Sequence, residues 1–228
     1  MGEGVGYRYE AATVEGFVQQ LAVSYFRNQY WFYVQGEIPE GKCPRATDEK
    51  LLLKYGIARS KWAKYRDQGR GEAKLQYLRY RTTFLLLKTD CPHPLFDGEE
   101  AGSIRDAREI PVQFYGYSVS YKDGHPHVRI ATPQYRVLVE DFLNAALTAQ
   151  ADLLAARFRA LPFEPFGPVK LQLRRLLIRV NELRRAAGLQ RVDRECLRTK
   201  RKPLRPFVEP AAAAVMTRAP RGWEEIEA

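Results

Sequence analysis

Cysteine is scarce in this sequence, and the few that occur are too widely spaced to define a site. There are three, Cys43, Cys91 and Cys196, and no two of them form a CxxC pair. An odd number at such spacing excludes a disulfide framework and a paired-cysteine metal knuckle, and no adjacent base marks any of them as a nucleophile. The pattern predicts a protein of a reducing compartment, so we expect a cytoplasmic protein.

Long apolar runs are also absent. No stretch approaches the roughly 20 apolar residues that a membrane-spanning helix needs. The opening residues, MGEGVGYRYEAAT, lack the basic start and apolar core of a secretory signal, and position 6 is not the Ser or Thr of a myristoylation site. With 45% hydrophobic and 28% charged residues, the chain is expected to be a soluble globular protein without a membrane partner.

The motifs of several large enzyme classes are missing. The sequence has no GxxxxGK[ST] phosphate loop, no GxGxxG after a predicted strand, no GxSxG and no HExxH. ATP-driven, dinucleotide-dependent, serine-hydrolase and zincin chemistry are therefore disfavoured. We expect a protein without a cofactor, with a divalent metal ion as the alternative.

Acidic residues are rare in one window that is rich in cations. Residues 167–206 contain 13 of the 37 Lys and Arg but 3 of the 27 Asp and Glu, so this window carries the whole net charge of +10. Its apolar residues from 168 to 187 recur at helical spacing, and several arginines lie off that stripe. Concentrated positive charge attracts polyanions, of which nucleic acid is the commonest.

A second basic region spans 59–81, where eight residues are basic and two are acidic. Aromatic residues (Trp62, Tyr65, Tyr77 and Tyr80) are interleaved with its cations, as in proteins that stack side chains on bases. We predict that this region and 167–206 form two walls of one electropositive groove, with an ordinary solvated face as the alternative for the cations of 75–81. The predicted nucleic-acid-binding residues are Lys61, Trp62, Lys64, Tyr65, Arg66, Arg70, Lys74, Arg79, Arg81, Arg174, Arg175, Arg179, Arg185, Arg198, Lys200, Arg201 and Lys202.

The order of periodic segments predicts an α+β fold: a mainly antiparallel sheet of about four strands with flanking helices and a basic C-terminal helix. Helices are expected from Thr13 and over 47–56, 60–69, 133–160 and 168–187. Strands are expected over 29–38 and 75–89, then, after an irregular acidic stretch (89–109), in a hairpin over 112–131 that turns at Asp123-Gly124. We divide the chain into a flexible N-terminus (1–12), a core domain (13–166), a basic helix and arm packed on the core (167–206) and a flexible tail (207–228).

Histidine is nearly absent, and two of the three, His125 and His127, stand on either side of a proline at the start of a predicted strand. In a strand both would face the same side, so both could bind one metal ion. This stretch of about five residues resembles the His-hydrophobic-His motif of rolling-circle and single-strand transposase nucleases. The resemblance implies a divalent cation at His125 and His127 and, as nucleophile, a downstream tyrosine, for which Tyr135 is the candidate.

Three functions remain open from the sequence. The favoured one is a non-catalytic nucleic-acid-binding protein, with RNA or DNA unresolved and a plasmid, phage or mobile element as its setting. The second is a metal-dependent nuclease using His125, His127 and Tyr135. The third is a structural interaction module whose basic helix docks on an acidic protein or an anionic membrane surface. His93, among the acidic residues of 89–109, could serve as a metal ligand or an acid–base group, but a solvated loop is the simpler interpretation.

Overall fold

The structure is a computed structural model that describes residues 7–59, 61–201 and 203–208 of the chain. Helices and strands follow each other in mixed order, so the fold is α+β, as predicted. The helices are α1 (Val14–Gln19), α2 (Pro44–Lys54), α3 (Lys61–Gly69), α4 (Pro94–Glu99), α5 (Thr132–Ala145), α6 (Ala151–Arg159) and α7 (Gly167–Ala186). The strands are β1 (Phe32–Glu37), β2 (Leu75–Tyr80), β3 (Thr83–Lys88), β4 (Arg105–Asp106), β5 (Val112–Phe114), β6 (Tyr117–Lys122) and β7 (His125–Ile130).

The strands form two sheets rather than the one sheet of about four strands that we expected. One sheet has the order β2-β3-β1-β4 and the other β5-β6-β7. Each pairing between neighbouring strands is antiparallel. β1 lies inside the first sheet, between β3 and β4. Both of its faces are covered, because Tyr33 packs in one apolar cluster and Val34 in another.

Two tight hairpins account for two of the three additional strands, and β4 is the third. The stretch 75–89, predicted as one strand, turns at Arg81 and Thr82 and so separates β2 from β3. The stretch 112–121 turns at Tyr115 and Gly116. Arg81 and Tyr115 have φ values of +54° and +43°, which side chains other than glycine rarely adopt, so neither turn carries the usual sequence signal at its first residue. The predicted Asp-Gly turn, between β6 and β7, is confirmed.

Some helix ends follow the sequence signals and others do not. Thr13 caps α1 as predicted, its side-chain oxygen accepting a hydrogen bond from the Gly16 N–H at 3.0 Å. The second helix begins at Pro44 rather than at Thr47, because proline suits the first helical position, where no N–H partner is needed. In residues 7–59, 61–201 and 203–208, every helix is too short or too polar to cross a lipid bilayer.

Two predictions of long uniform segments are wrong. The helix expected over 133–160 is interrupted at 146–150, which lets α6 fold back on α5 and brings the rings of Phe142 and Phe158 within 4.2 Å. The stretch 89–109, expected to be irregular, contains α4 and β4. In both cases contacts between distant residues outweigh local propensity.

Two apolar clusters lie on opposite faces of the first sheet. Alternate residues of β2 and β3 divide between them: Leu75, Tyr77 and Leu86 belong to the smaller cluster, and Leu78, Leu85 and Leu87 to the larger. The smaller cluster includes Phe96 of α4 and residues that follow α2. The larger one includes the buried faces of α1, α5, α6 and α7. Helix α7 and the α2–α4 layer are therefore on different sides of this sheet.

Both ends of the described chain meet at the outer edge of β2. Ala11 donates to the carbonyl of Arg79 at 2.7 Å and forms a bridge with Phe207. The Ala12 N–H also donates to the Pro206 carbonyl at 3.0 Å. Residues on both sides of the predicted boundaries at 12 and 206 are thus held against the core, and the division of the chain at these positions stays a prediction. The other residues predicted to be flexible, 1–6 and 209–228, lie outside the described residues.

Candidate functional site

Helix α7 buries one face and exposes cations on the other. The apolar stripe predicted from the sequence packs on the core through Val169, Leu173, Leu176, Leu177 and Val180. The exposed cations of this helix are Lys170, Arg174, Arg175, Arg179 and Arg185. A helix of this kind is fixed by its apolar contacts, so its cations can face solvent in a defined arrangement.

After α7 the chain turns back and runs alongside the helix. Gly188 has φ +68°, a left-handed conformation that glycine adopts readily at a helix end. The side-chain amide of Asn181 then binds Val192 twice: Nδ2 donates to its carbonyl at 2.9 Å, and Oδ1 accepts from its N–H at 2.8 Å. Val192 is buried. Residues 189–199, the returning segment, are therefore positioned against α7 by specific contacts.

Arg184 fixes the same turn from inside the protein. Its Nη1 donates to the carbonyls of Ala146 and Ala149 at 2.7 and 2.8 Å, and its Nε donates to the carbonyl of Gln190 at 2.5 Å. The side chain is 3% exposed. Arg184 therefore ties α7, the α5–α6 connection and the returning segment together, and it is not an interface residue.

Two adjoining cavities open between α7 and the returning segment. The first, of about 420 Å³, is lined by four arginines: Arg174, Arg185, Arg191 and Arg194. The second, of about 410 Å³, shares Arg174 and Arg194 with the first and adds Lys170 and Arg198. Because they share residues, we treat them as one groove, the α7 groove. It has six lining cations and one lining carboxylate, that of Glu182.

Most cations of the α7 groove have no acidic partner in the part of the chain that the structure describes. Across residues 167–201, all of which the structure describes, the one salt bridge joins Arg198 to Glu164, with 3.3 Å between Nη1 and Oε1. The other five groove cations have no carboxylate of a described residue within salt-bridge distance. Their charge is uncompensated in the fold, so the groove attracts anions.

Besides lining the groove, Arg198 has a structural role. Its Nη2 donates to the carbonyls of Leu161 and Phe163 at 3.0 and 2.7 Å. Its partner Glu164 is 5% exposed, and the second carboxylate oxygen, Oε2, has no hydrogen-bond partner among the described residues. Arg198 thus anchors the returning segment to the linker before α7, and its contact with phosphate stays a prediction.

The basic region 59–81 is not the second wall of this groove. Helix α3 lies in the chain between Ile57 and Leu75, and both of these belong to the smaller apolar cluster. Helix α7 packs on the larger cluster, across the first sheet. The returning segment forms the second wall instead, because it follows α7 directly and is held by Asn181. The expectation of one groove built from both basic regions is therefore wrong.

Arg79 is buried, so its prediction as a phosphate contact is wrong. Its Nε donates to both carboxylate oxygens of Asp48, at 2.9 and 3.0 Å, and its Nη2 lies 3.1 Å from Oε2 of Glu10. The Tyr77 hydroxyl donates to the same Asp48 carboxylate at 2.6 Å. Burial raises the pKa of Tyr77, and its hydrogen bond to Asp48 raises it further, so this hydroxyl remains a donor. The cluster joins the N-terminal segment, α2 and β2.

The aromatic residues of the same region are of two kinds. Trp62 and Tyr65 are 77% and 70% exposed on α3. Tyr77 is fully buried, and Tyr80 packs against the rings of Phe114 and Tyr115, with centroids 5.9 and 5.4 Å away. Stacking on bases therefore remains open to Trp62 and Tyr65 and is excluded for Tyr77.

The remaining predicted contacts are scattered. Arg70 is 3.5 Å from Glu72, Lys74 is half-buried, and the exposed Arg81 lies at the β2–β3 turn. Five others are exposed: Arg66, Lys200, Arg201 and, on the α5 side of α7, the pair Arg175 and Arg179. Lys202 and the side chains of Lys61 and Lys64 lie outside the described residues. The predicted set omitted Lys170, Arg191 and Arg194, although Gly188 followed by further cations was a signal for a returning basic segment.

Cations outnumber carboxylates around the residues of the nuclease hypothesis: Arg129 and Lys122 act on His127 against Asp123 alone, and Arg175 and Arg179 act on Tyr135. Burial lowers the pKa of His127, and the charges of Arg129 and Lys122 lower it further. Among the residues that the structure describes, no group of three or more His, Cys, Asp or Glu side chains is placed to hold a metal ion. The Tyr135 hydroxyl donates to the Gln172 carbonyl at 2.9 Å, and burial raises its pKa, which opposes nucleophilic attack. A metal at His125 and His127 stays a prediction.

His93 has a structural partner as well. Its Nδ1 accepts a hydrogen bond from the Phe96 N–H at 3.2 Å and so caps α4. Asp97 accepts from the His93 N–H at 2.8 Å and from Lys88 Nζ at 2.7 Å. His93 and Asp97 thus stabilise the start of α4.

Comparison with protein-family models, with curated proteins and with solved structures finds no match to this chain. The features of this protein that point to a function are the geometry and charge of the α7 groove and the exposed aromatic pair on α3.

Proposed function

We propose that the protein binds nucleic acid through the phosphate backbone, along the α7 groove. This proposal is supported by five cations on two facing walls of the groove that have no carboxylate partner among the described residues. Phosphate groups are the anions that a row of arginines suits best, because the planar guanidinium forms two parallel hydrogen bonds to one phosphate.

The length of the groove favours a polymer over a small anion. Lys170 and Arg185 line it at opposite ends, and fifteen residues of helix correspond to about 22 Å at 1.5 Å per residue. Leu177 and Ile178 line it between the cations and offer no hydrogen bonds to base edges. Contacts would therefore be to the backbone, and binding would depend little on base sequence.

The salt dependence of binding tests the proposal. Affinity for labelled DNA and RNA, single- and double-stranded, is measured by fluorescence anisotropy between 50 and 300 mM salt. Each phosphate neutralised contributes about 0.7 to 0.9 to the slope of log affinity against log salt. Replacing Arg174, Arg185, Arg191 and Arg194 by Gln should lower this slope by about 3 and the affinity by at least tenfold.

A charge-matched control separates the groove from general positive charge. Lys42, Arg45, Lys50 and Lys122 are exposed and lie outside the α7 groove, and changing all four to Gln removes the same net charge. We expect this control variant to keep most of the slope of log affinity against log salt that the native protein shows. Equal losses in the two variants would show that net charge, and not the groove, binds the polymer.

A protein partner is the competing outcome. If the native protein shows no salt-dependent affinity for any nucleic acid, and a partner retained after nuclease treatment is lost in the quadruple groove variant, the groove is a protein-docking site and the proposal fails.

We further propose the cytoplasm as the compartment. All three cysteines are free thiols, two of them exposed, and this supports a reducing environment.

A further inference from the structure

Trp62 and Tyr65 are the two most exposed aromatic side chains among the described residues, at 77% and 70%. They are three residues apart on α3, so they lie on one face of the helix, while Ala63 between them is 8% exposed and faces the protein. Exposed aromatic rings gathered on one face are uncommon in a protein surface without a binding role.

The charge around this pair indicates what covers it. Arg66, four residues after Trp62, is exposed, and α3 itself has three basic residues and one acidic residue. A second copy of the chain would bring the same cations face to face, which costs free energy. A polyanion with flat aromatic groups satisfies both the cations and the rings.

We infer that Trp62 and Tyr65 form a stacking platform for the unpaired bases of single-stranded nucleic acid. The inference rests on the proposed function and adds a substrate class to it. In a duplex the bases already stack on each other, whereas bases of a single strand can stack on aromatic side chains. The residues that line the α7 groove include no aromatic side chain, so that groove binds phosphates and the platform distinguishes single strands from duplexes.

Substitution at the platform tests the inference. Trp62→Ala and Tyr65→Ala should each lower affinity for an oligothymidine of about 30 nucleotides by roughly 5- to 100-fold, the range for loss of one stacked base. Affinity for a duplex of the same length and the salt slope on the single strand should not change. Trp62→Phe keeps a ring and should retain most of the affinity. Leu53→Ala, on an 85% exposed apolar residue without a ring, is the matched control.

A direct signal comes from tryptophan fluorescence. Oligothymidine should quench the emission of the native protein, and this quenching should be absent in Trp62→Ala. Unchanged thermal midpoints show that the variants fold. If both platform variants bind the single strand normally while the quadruple groove variant does not, the inference fails and the proposed function stands. If neither set of variants changes binding, both fail. Two other results would also overturn the inference. The platform variants could lose affinity equally for duplex and single strand, or a protein partner that depends on Trp62 could be retained after nuclease treatment.

Discussion

Arg79 and Arg185 show opposite uses of the same side chain. Arg79 is 3% exposed and is paired with Asp48 and Glu10, which lie far from it in the sequence. Arg185 is exposed, lines the α7 groove and has no carboxylate partner among the described residues. A charge that is paired inside the fold contributes to stability, and one that is left unpaired at the surface is available to an anion. A basic run therefore indicates an interface only where the fold keeps acidic groups away from it.

The largest expected effect is a loss of stability on breaking the buried Arg79–Asp48 ion pair. Arg79→Met leaves the Asp48 carboxylate, which is 0% exposed, without its charge partner, and should lower the free energy of unfolding by about 3–5 kcal/mol. Urea unfolding followed by circular dichroism measures this loss. Adding Asp48→Asn should restore part of it, because the uncompensated charge is removed. A loss below about 1 kcal/mol would show that Arg79 is not the structural residue we describe.

The adjacent residues Arg184 and Arg185 give a sharper form of the comparison, since both lie on α7. Arg184→Met removes hydrogen bonds to three carbonyls and should lower the free energy of unfolding by about 1.5–3 kcal/mol. Affinity should fall somewhat, because the bond to Gln190 helps to hold the returning segment, but the salt slope of nucleic-acid binding should not change, because the groove keeps all its cations. Arg185→Gln should change stability by less than about 0.5 kcal/mol and lower the slope by about 1. If the two variants lose nucleic-acid affinity equally and neither changes the free energy of unfolding, the distinction between Arg184 and Arg185 is wrong.

An uncharged residue tests whether the arrangement matters beyond charge. Asn181→Ala removes the two hydrogen bonds that hold Val192, and should cost about 1–2 kcal/mol of stability. Because Arg191 and Arg194 are then less well positioned, affinity for nucleic acid should fall severalfold although net charge is unchanged. Asn144→Ala, at an exposed asparagine on α5, is the control. Unchanged affinity in Asn181→Ala would mean that the returning segment is not a wall of the site.

The smallest expected effect is a pH dependence of the free energy of unfolding that comes from His93, the cap of α4. Burial lowers the pKa of His93, although the charges of Asp97 and Glu72 act against this. Below pH about 6.5 the unfolded chain therefore binds more protons than the folded protein, so the free energy of unfolding falls as pH falls from 7 to 5. Protonated His93 also loses the acceptor that caps α4. His93→Asn keeps a cap at every pH.

Thermal unfolding at pH 5, 6 and 7 checks this prediction. The loss of stability between pH 7 and 5 should be smaller in His93→Asn than in the native protein by up to about 1 kcal/mol, the typical value of a helix cap. Identical pH profiles for the two proteins would show that His93 does not titrate as described. Since no histidine lines the α7 groove, nucleic-acid affinity should not follow this titration.

Local patterns were sufficient for part of the fold and of the candidate site. The α+β class, the Thr13 cap, the Asp123-Gly124 turn and the extent of α7 all follow from signals within a few residues of each other. The β2–β3 hairpin could not be predicted from local signals, because Arg81 adopts a positive φ that no local rule predicts for arginine. The break between α5 and α6 depends on contacts such as that between Phe142 and Phe158.

The sequence by itself determined where the surplus positive charge lies and which face of α7 is apolar, since helical periodicity and composition are properties of neighbouring residues. Only the tertiary structure decided which cations are neutralised. Asp48 reaches Arg79 from another element, and the carbonyls of the α5–α6 connection bind Arg184. The pairing of a charge depends on the residues that the fold brings beside it, and these are distant in the chain.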